Sequence, residues 1–322
     1  MRKIVTIHQT DLYRPHIDPD DHYDLACQFA LAKKGFIDLK VVLIDYPPND
    51  KNAPDVIAVQ QLNHITNLNI QTAFGGKMGD VNSSLIVTLR DILETSKEKV
   101  IIHIVGSCFD MAYFYDLNKE LFVEKVEALY INAGSAYYSS IQEYNQFLNN
   151  DSYLSLFSIP VNIYWLPCFH DMDRIWEIDE HGSFYKFKQS NIFQNLNPPL
   201  LNYFLSCLRQ DPITSSYHSL LDKPIDEKEV TYYGNLYRNM WCTAGFINAV
   251  GLSIDLEGNI SEKVKDPLFI FKDIQVSIQN DHLTWTYSKD NSNIKILKIQ
   301  NTSIYQDKMT TALNTIISWL KS

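Results

Sequence analysis

Five aspartates crowd into fourteen residues near the start of this 322-residue chain: Asp11, Asp18, Asp20, Asp21 and Asp24, in the run DLYRPHIDPDDHYD. Carboxylates packed together repel, and each ionised form is costly unless a cation neutralises it. An all-oxygen donor set selects Ca²⁺ or Mg²⁺ over zinc. Asp20 or Asp21 lies about one helical turn from Asp24, so two carboxylates can face one ion. The spacing is not that of an EF-hand, which wants a glycine at the turn and a terminal Glu. A helix N-terminus favours nearby carboxylates through its dipole and free N–H groups. Capping therefore accounts for one or two of the five, and a cation site accounts better for the set.

The elements around this run would place it at a functional rim. Ile4 to Thr10 reads as a first strand, and the polar stretch after it, broken by Pro15 and Pro19, as a loop. Asp24 to Lys33 has helical spacing, and Leu39 to Ile44 is a β-branched second strand. Strand, loop, helix and strand make a βαβ unit and hence a parallel sheet, whose ligands gather beyond the strands' carboxyl ends. The theme recurs. Asp55 to Leu68, Ser83 to Glu98 and Phe109 to Lys125 read as helices, and Val100 to Val105, Ala128 to Asn132 and Val161 to Leu166 as buried strands. Helices are expected over Pro199 to Arg209 and Arg238 to Val250. Ile274 to Ile278, His282 to Tyr287 and Ile294 to Ile299 alternate like antiparallel strands, and Met309 to Leu320 reads as a closing helix. The expected fold class is α/β: a mostly parallel central sheet flanked by helices, with a small antiparallel C-terminal addition. Residues 1–322 are read as one domain, since no linker or repeat interrupts them.

A formal net charge of −10 argues against a nucleic-acid partner, which needs a basic surface. No apolar run is long enough to span a bilayer, so no membrane partner is expected. The five cysteines form no CxxC pair and no even framework, the usage of free thiols in a reducing compartment. Met1 to Ile7 enters an apolar alternation at once and lacks the features of a secretory signal. The expected location is cytoplasmic.

Other residues weigh less. Cys242, in an apolar context with Trp241, Phe246 and Ile247, reads as core rather than as a nucleophile. His103, inside a strand, reads as a core histidine. His170-Asp171-Met172-Asp173 reads as a surface loop that could shape a pocket. Gly75-Gly76-Lys77-Met78-Gly79 lacks the spacing of a phosphate loop. Tyr232, Tyr233 and Tyr237 could line a pocket or simply pack.

The strand running into an Asp-rich turn, followed by a helix and the strand IDLKVV, resembles the nucleoside hydrolase family (inosine-uridine preferring) and its relatives. VIIHIVGSCFDMA, 100–112, is similar to the strand, Gly loop and helix that in the family offers a main-chain carbonyl to calcium; by position that carbonyl belongs to Phe109, beside Asp110. ALYINAGSA, 128–136, resembles the next strand and its small-residue loop. Gln142-Glu143-Tyr144-Asn145 resembles an element that holds ribose hydroxyls, and Asp151-Ser152 fits the helix start after it. The similarity in order covers about the first half of the chain.

The resemblance implies hydrolysis of the N-glycosidic bond of a ribonucleoside or related ribosyl compound, with a calcium ion as cofactor. Carried over, Asp11 and Asp20 are the catalytic carboxylates, and Asp11, Asp20, Asp21, Asp24 and the Phe109 carbonyl are metal ligands. Glu143, Asn145 and Asn132 bind substrate, and Asn49 lies near a further ribose contact. The partner expected is a small nucleoside or ribosyl molecule; homo-oligomerisation stays open. Two departures stand out. Leu12 to Pro19 is an insertion, so counting back from the second strand puts Asp24 at the last aspartate instead. Where the family has a late His-Asp pair, this chain has Met240-Trp241-Cys242-Thr243-Ala244, and a thiol is a poor ligand for a hard cation. His16, His22 or His170 could replace the missing proton donor. A binding protein that kept the fold and lost catalysis, and a different metal-assisted hydrolase, are the alternative readings.

Overall fold

The computed structural model describes residues 3–16, 18–49, 51–77 and 80–321. Met1, Arg2 and Ile17 of the N-terminal segment, and Met78 and Gly79 of the glycine-rich loop, lie outside the described residues.

Nine strands form the central sheet: β1 (Ile4–Thr10), β2 (Ile37–Ile44), β3 (Gln71–Phe74), β4 (Val100–Ile104), β5 (Val126–Ile131), β6 (Asn162–Trp165), β7 (Phe269–Gln279), β8 (His282–Tyr287) and β9 (Ile294–Ile299). Their order is β8-β7-β9-β6-β5-β4-β1-β2-β3. From β9 to β3 every neighbouring pair is parallel; β7 pairs antiparallel with both β9 and β8. The expected antiparallel addition is therefore a hairpin extending the same sheet. The near-continuous apolar runs of β4 and β5 are buried because helices cover both faces.

The helices that bear on the site are α1 (Asp20–Lys34), α2 (Val56–Thr66), α3 (Ser84–Thr95), α4 (Phe109–Leu117), α5 (Tyr144–Leu148), α6 (Pro198–Leu208), α7 (Thr243–Ala249) and α8 (Thr302–Ser318). Leu25 and Phe29 of α1, Phe204 of α6, Phe246 of α7 and Leu313 of α8 pack in the core on one face. Leu85 and Leu89 of α3 and Met111 and Phe114 of α4 fill the other.

Several elements depart from their sequence-based bounds. α1 starts four residues before Asp24, so Asp20 and Asp21 occupy its first turn rather than a loop. It ends at Gly35, whose positive φ of 87° lets its N–H turn back onto the last carbonyls. The helix expected over Phe109 to Lys125 breaks at Asn118, whose side-chain amide donates to the Phe114 carbonyl. The helix expected over Arg238 to Val250 is only half present. Tyr237–Met240 pairs antiparallel with Tyr185–Lys188, and α7 begins at Thr243. That pairing spans some fifty residues, beyond the reach of local periodicity. Among the described residues no helix is long and apolar enough to cross a membrane.

Candidate active site

The parallel strands end on one side in a ring of loops. Asp11 follows β1, Asn132 follows β5, and Cys168 and Phe169 follow β6. Together with the N-terminus of α1 and helix α5 they enclose a cleft of about 460 Å³. Asp11, Asp18, Asp20, Asp21, Asn132, Glu143 and Asn145 line its polar side. Phe169, Met172, Ile175, Trp176 and Trp241 line the other, with Tyr144 and Phe147 of α5 at the mouth.

The carboxylates are held by short, local devices. Thr10, the last residue of β1, donates its hydroxyl to Asp21 at 2.5 Å, so strand end and helix start are tied. Burial pushes the Asp11 carboxyl up to about 6, with Asp18 adding repulsion against a hydrogen bond to Asp21. Asp20 and Asp21 are driven well above the usual carboxylate range by burial first and by the neighbouring aspartates second. Asp18 is the exception in having a cation: Arg238 lies 2.7 Å away. Arg238 also acts on Asp20, but more weakly than burial and the neighbouring aspartates do.

Glu143 caps α5. Its carboxylate accepts from the backbone N–H groups of Gly134 at 2.8 Å, Asn145 at 3.0 Å and Gln146 at 3.2 Å. Gly134 has φ +77° and lies so close to the Tyr153 hydroxyl that no Cβ fits there. Asn145 donates its amide to the Val105 carbonyl at 3.1 Å. Asn132 donates to the Leu166 carbonyl at 3.1 Å, while its own oxygen is buried with no hydrogen-bond partner. A buried acceptor on a cleft wall without a donor is suited to a ligand hydroxyl or N–H.

Two expected ligands stand apart from the cleft. Asp24 lies a turn deeper in α1 and is fully buried. Burial raises its carboxyl to about 7, offset in part by the Cys242 thiol beside it; neither oxygen makes a well-formed hydrogen bond. Phe109 opens α4, and its ring stacks on Tyr113 at 5.6 Å. Among the described residues no three His, Cys, Asp or Glu side chains already close into a metal cage. The cleft carboxylates surround a space rather than a point.

Of the three candidate histidines, His16 lines the cleft, its Nε2–H donating to the Cys207 carbonyl at 2.9 Å and burial lowering its pKa to about 4. His22 is buried against Asp55 at 2.9 Å, and His170 sits 3.7 Å from Asp179, outside the cleft lining. Asn49 accepts from the Lys51 N–H and does not line the cleft.

No family model matches the sequence, and no curated protein matches it either. Solved structures do match, over nearly the whole chain. A plant nucleoside hydrolase aligns with a TM-score of 0.58 at 11% identity, covering 99% of this chain and 99% of that one. A purine-preferring ribonucleoside hydrolase from Gardnerella vaginalis gives 0.57 at 10% identity, covering 98% and 99%. A type III effector protein, XopQ, complexed with adenosine diphosphate ribose, gives 0.55 at 11% identity, covering 99% and 95%. The fold is that of the nucleoside hydrolases.

Within this nucleoside hydrolase fold, several notable residues escaped the sequence reading. Asp45, the first residue after β2, is buried and accepts from the Ser107 N–H at 2.7 Å and from the Gln9 amide. A Cβ on Gly106 would run into that carboxylate, so the chain passes there only as glycine. The rule that singled out Asp11 at a strand end applies equally to Asp45. The aromatic wall had no such signal: Phe169 and Trp176 lie in irregular chain, their rings meeting edge to face at 5.8 Å. Trp241 packs on Phe169 at 6.0 Å and keeps a buried indole N–H without an acceptor.

Proposed function

We propose that the protein is an N-ribosyl hydrolase that cleaves the glycosidic bond of a ribonucleoside or related ribosyl compound with the help of calcium. The observation that supports it best is one cleft, beyond the carboxyl ends of parallel strands, whose lining brings Asp11, Asp20 and Asp21 together with Glu143, Asn132 and Asn145 and with the aromatic cluster of Phe169, Trp176 and Trp241. The binding of adenosine diphosphate ribose by a protein of this fold fits a ribosyl ligand.

The donor chemistry of the cleft fits calcium. Asp11, Asp20 and Asp21 are oxygen donors whose carboxyls burial and mutual repulsion push upward, so a cation among them relieves the repulsion. Cys242 is a poor donor for a hard ion, and the Asp24 carboxyl beside it is buried away from the cleft, so Asp11, Asp20 and Asp21 are the residues that would hold one. A calcium ion held there supplies Lewis acidity that makes water easier to deprotonate.

The chain's own residues do the rest. Asp11, fixed at the strand end, takes the proton from the attacking water. Asn132 and Asn145 hold sugar hydroxyls, and Glu143, immobilised by the backbone N–H groups of Gly134, Asn145 and Gln146, fixes the start of α5 that carries Asn145 and offers a free lone pair to the sugar. The aromatic wall excludes water and holds the leaving group by its face. The test is sugar release from a panel of nucleosides with calcium and with a chelator. Release that disappears with the chelator supports the reading, and no release from any nucleoside defeats it.

A second reading, a binding protein on this fold without turnover, is favoured by Trp241 and Cys242, neither of which is an ordinary proton donor. Tight ribose or nucleoside binding without cleavage would select it.

A further inference from the structure

We infer that the preferred substrate carries a cationic aglycone, an N-ribosylpyridinium rather than a neutral purine or pyrimidine nucleoside. This rests on the N-ribosyl hydrolase reading and narrows it to one chemical class.

The first observation is charge. Five carboxylates line the cleft, and among the described residues none that lines it is Lys or Arg. Arg238, which does not line the cleft, pairs with Asp18 at 2.7 Å. His16 adds no charge near neutral pH, since burial keeps its ring unprotonated. Such a cleft attracts a monocation and repels phosphate.

The second observation is the wall. Phe169, Trp176 and Trp241 form an edge-to-face cluster with centroid separations of 5.8 and 6.0 Å. Trp176 is 53% exposed, the part-open ring at a cleft rim that a flat cation can cover. Aromatic faces bind cations through the ring quadrupole, tryptophan most strongly. The buried, unpartnered oxygen of Asn132 is a further acceptor on the same cleft.

The third is that the aromatic wall, among the described residues, carries no acid to meet a departing base. Phe169, Met172, Ile175, Trp176 and Trp241 offer no ordinary proton donor among them. A purine or pyrimidine needs one, because its nitrogen leaves with an electron pair and negative charge. A pyridinium does not. Water adds through oxygen to C1′ and gives its proton to Asp11, while the C1′–N bond breaks and its pair passes to the ring nitrogen. The aglycone departs as a neutral pyridine, and the sum is ribosylpyridinium plus water giving ribose, pyridine and a proton.

The experiment compares nicotinamide riboside, its 5′-phosphate, inosine and uridine with the full chain in calcium buffer. Binding of the N-methylnicotinamide cation and of neutral nicotinamide is measured beside it by calorimetry. The expected result is a kcat/KM for nicotinamide riboside about tenfold or more above those of inosine and uridine, and lower for the phosphate. The methylated cation should bind more tightly than the neutral amide, and Trp176→Ala should remove that difference. Cleavage of inosine or uridine with equal or poorer cleavage of nicotinamide riboside overturns the inference and leaves the hydrolase reading standing. No cleavage of any of them overturns both. Equal binding of cation and neutral amide overturns the inference whatever the turnover.

Discussion

The hydroxyl of Thr10 and the carboxylate of Asp21 meet at 2.5 Å, joining the end of β1 to the first turn of α1. The segment between them is tied inward at Leu12 and Arg14, both buried, so the strand end and the helix start stay fixed. Asp11 is thereby held next to Asp20 and Asp21 despite the intervening residues. The aspartates can thus serve one centre although their spacing along the chain is loose.

Asp11→Asn should therefore abolish turnover while leaving the fold intact. Loss of the water-activating carboxylate is expected to lower kcat by about 10²–10⁴-fold. Without calcium the variant should melt a few degrees higher than the parent, because it removes one buried charge from a repelling set. Calcium should raise its melting temperature less than it raises the parent's. Thermal scans with and without the ion check both statements, and a variant with parental kcat would remove Asp11 from the chemistry.

A second prediction concerns the support behind the loop. Asp55 is fully buried, caps α2 through the Ala58 N–H at 3.1 Å, and takes Arg14 at 2.6 Å and His22 at 2.9 Å. Arg14 in turn reaches the carbonyls of Ser206 and Asp211, both at 2.9 Å. Burial alone would raise the Asp55 pKa, but His22 and Arg14 outweigh it and hold the carboxyl below its usual range. Asp55→Ala leaves a buried guanidinium without its anion and should cost about 3–5 kcal/mol. Chemical denaturation measures this; a loss under about 1 kcal/mol would show that the network is not what anchors the loop.

Much of this site could be read in the sequence, and the part that could not has a common cause. Asp11 follows, and Asn132 ends, an apolar run that reads as a buried strand, whereas Glu143 stands out only through the resemblance carried by Gln142 to Asn145 and not as the cap that the structure makes it. Those are local patterns. Arg14 and Asp55 are forty-one residues apart, and no periodicity links them. Phe169 and Trp176 come from irregular chain, where neither helical nor strand spacing marks an inward side. Arg238 to Met240 reads as the start of a helix, yet it lies in the strand Tyr237–Met240, whose partner Tyr185–Lys188 is remote. Tertiary pairing, not local propensity, decides such segments.

The third prediction is a pH dependence from inside the sheet. His8 and His103 sit opposite each other on β1 and β4, and Phe246 presents an edge contact to both. Burial lowers each pKa from 6.5 to about 3. Between these values the unfolded chain binds protons that the folded chain does not, so stability rises with pH and is lost as pH falls below 6.5. From pH 6.5 down to 5 the loss is roughly 2 kcal/mol for each ring. Denaturation midpoints between pH 8 and 5 should fall along this curve. His8→Leu should flatten it by about half; an unchanged slope in that variant would mean that other groups carry the effect.

The last prediction uses the pair formed by Asp24 and Cys242. The thiol at the start of α7 lies beside a buried carboxyl that burial has raised to about 7, with Asp20 nearby on the cleft side. Replacing the thiol by a carboxylate, Cys242→Asp, adds a second buried anion next to Asp24. Without a cation that repulsion should destabilise the fold by about 1–3 kcal/mol. With calcium the same group becomes a hard oxygen donor, so affinity for the ion should rise about tenfold or more. The two effects have opposite signs and one cause, which separates them from a packing defect. Cys242→Ser, of similar size and uncharged, should show neither. Calcium titration by calorimetry beside melting curves reads both, and a Cys242→Asp protein with weaker calcium binding than the parent would place the ion away from α7.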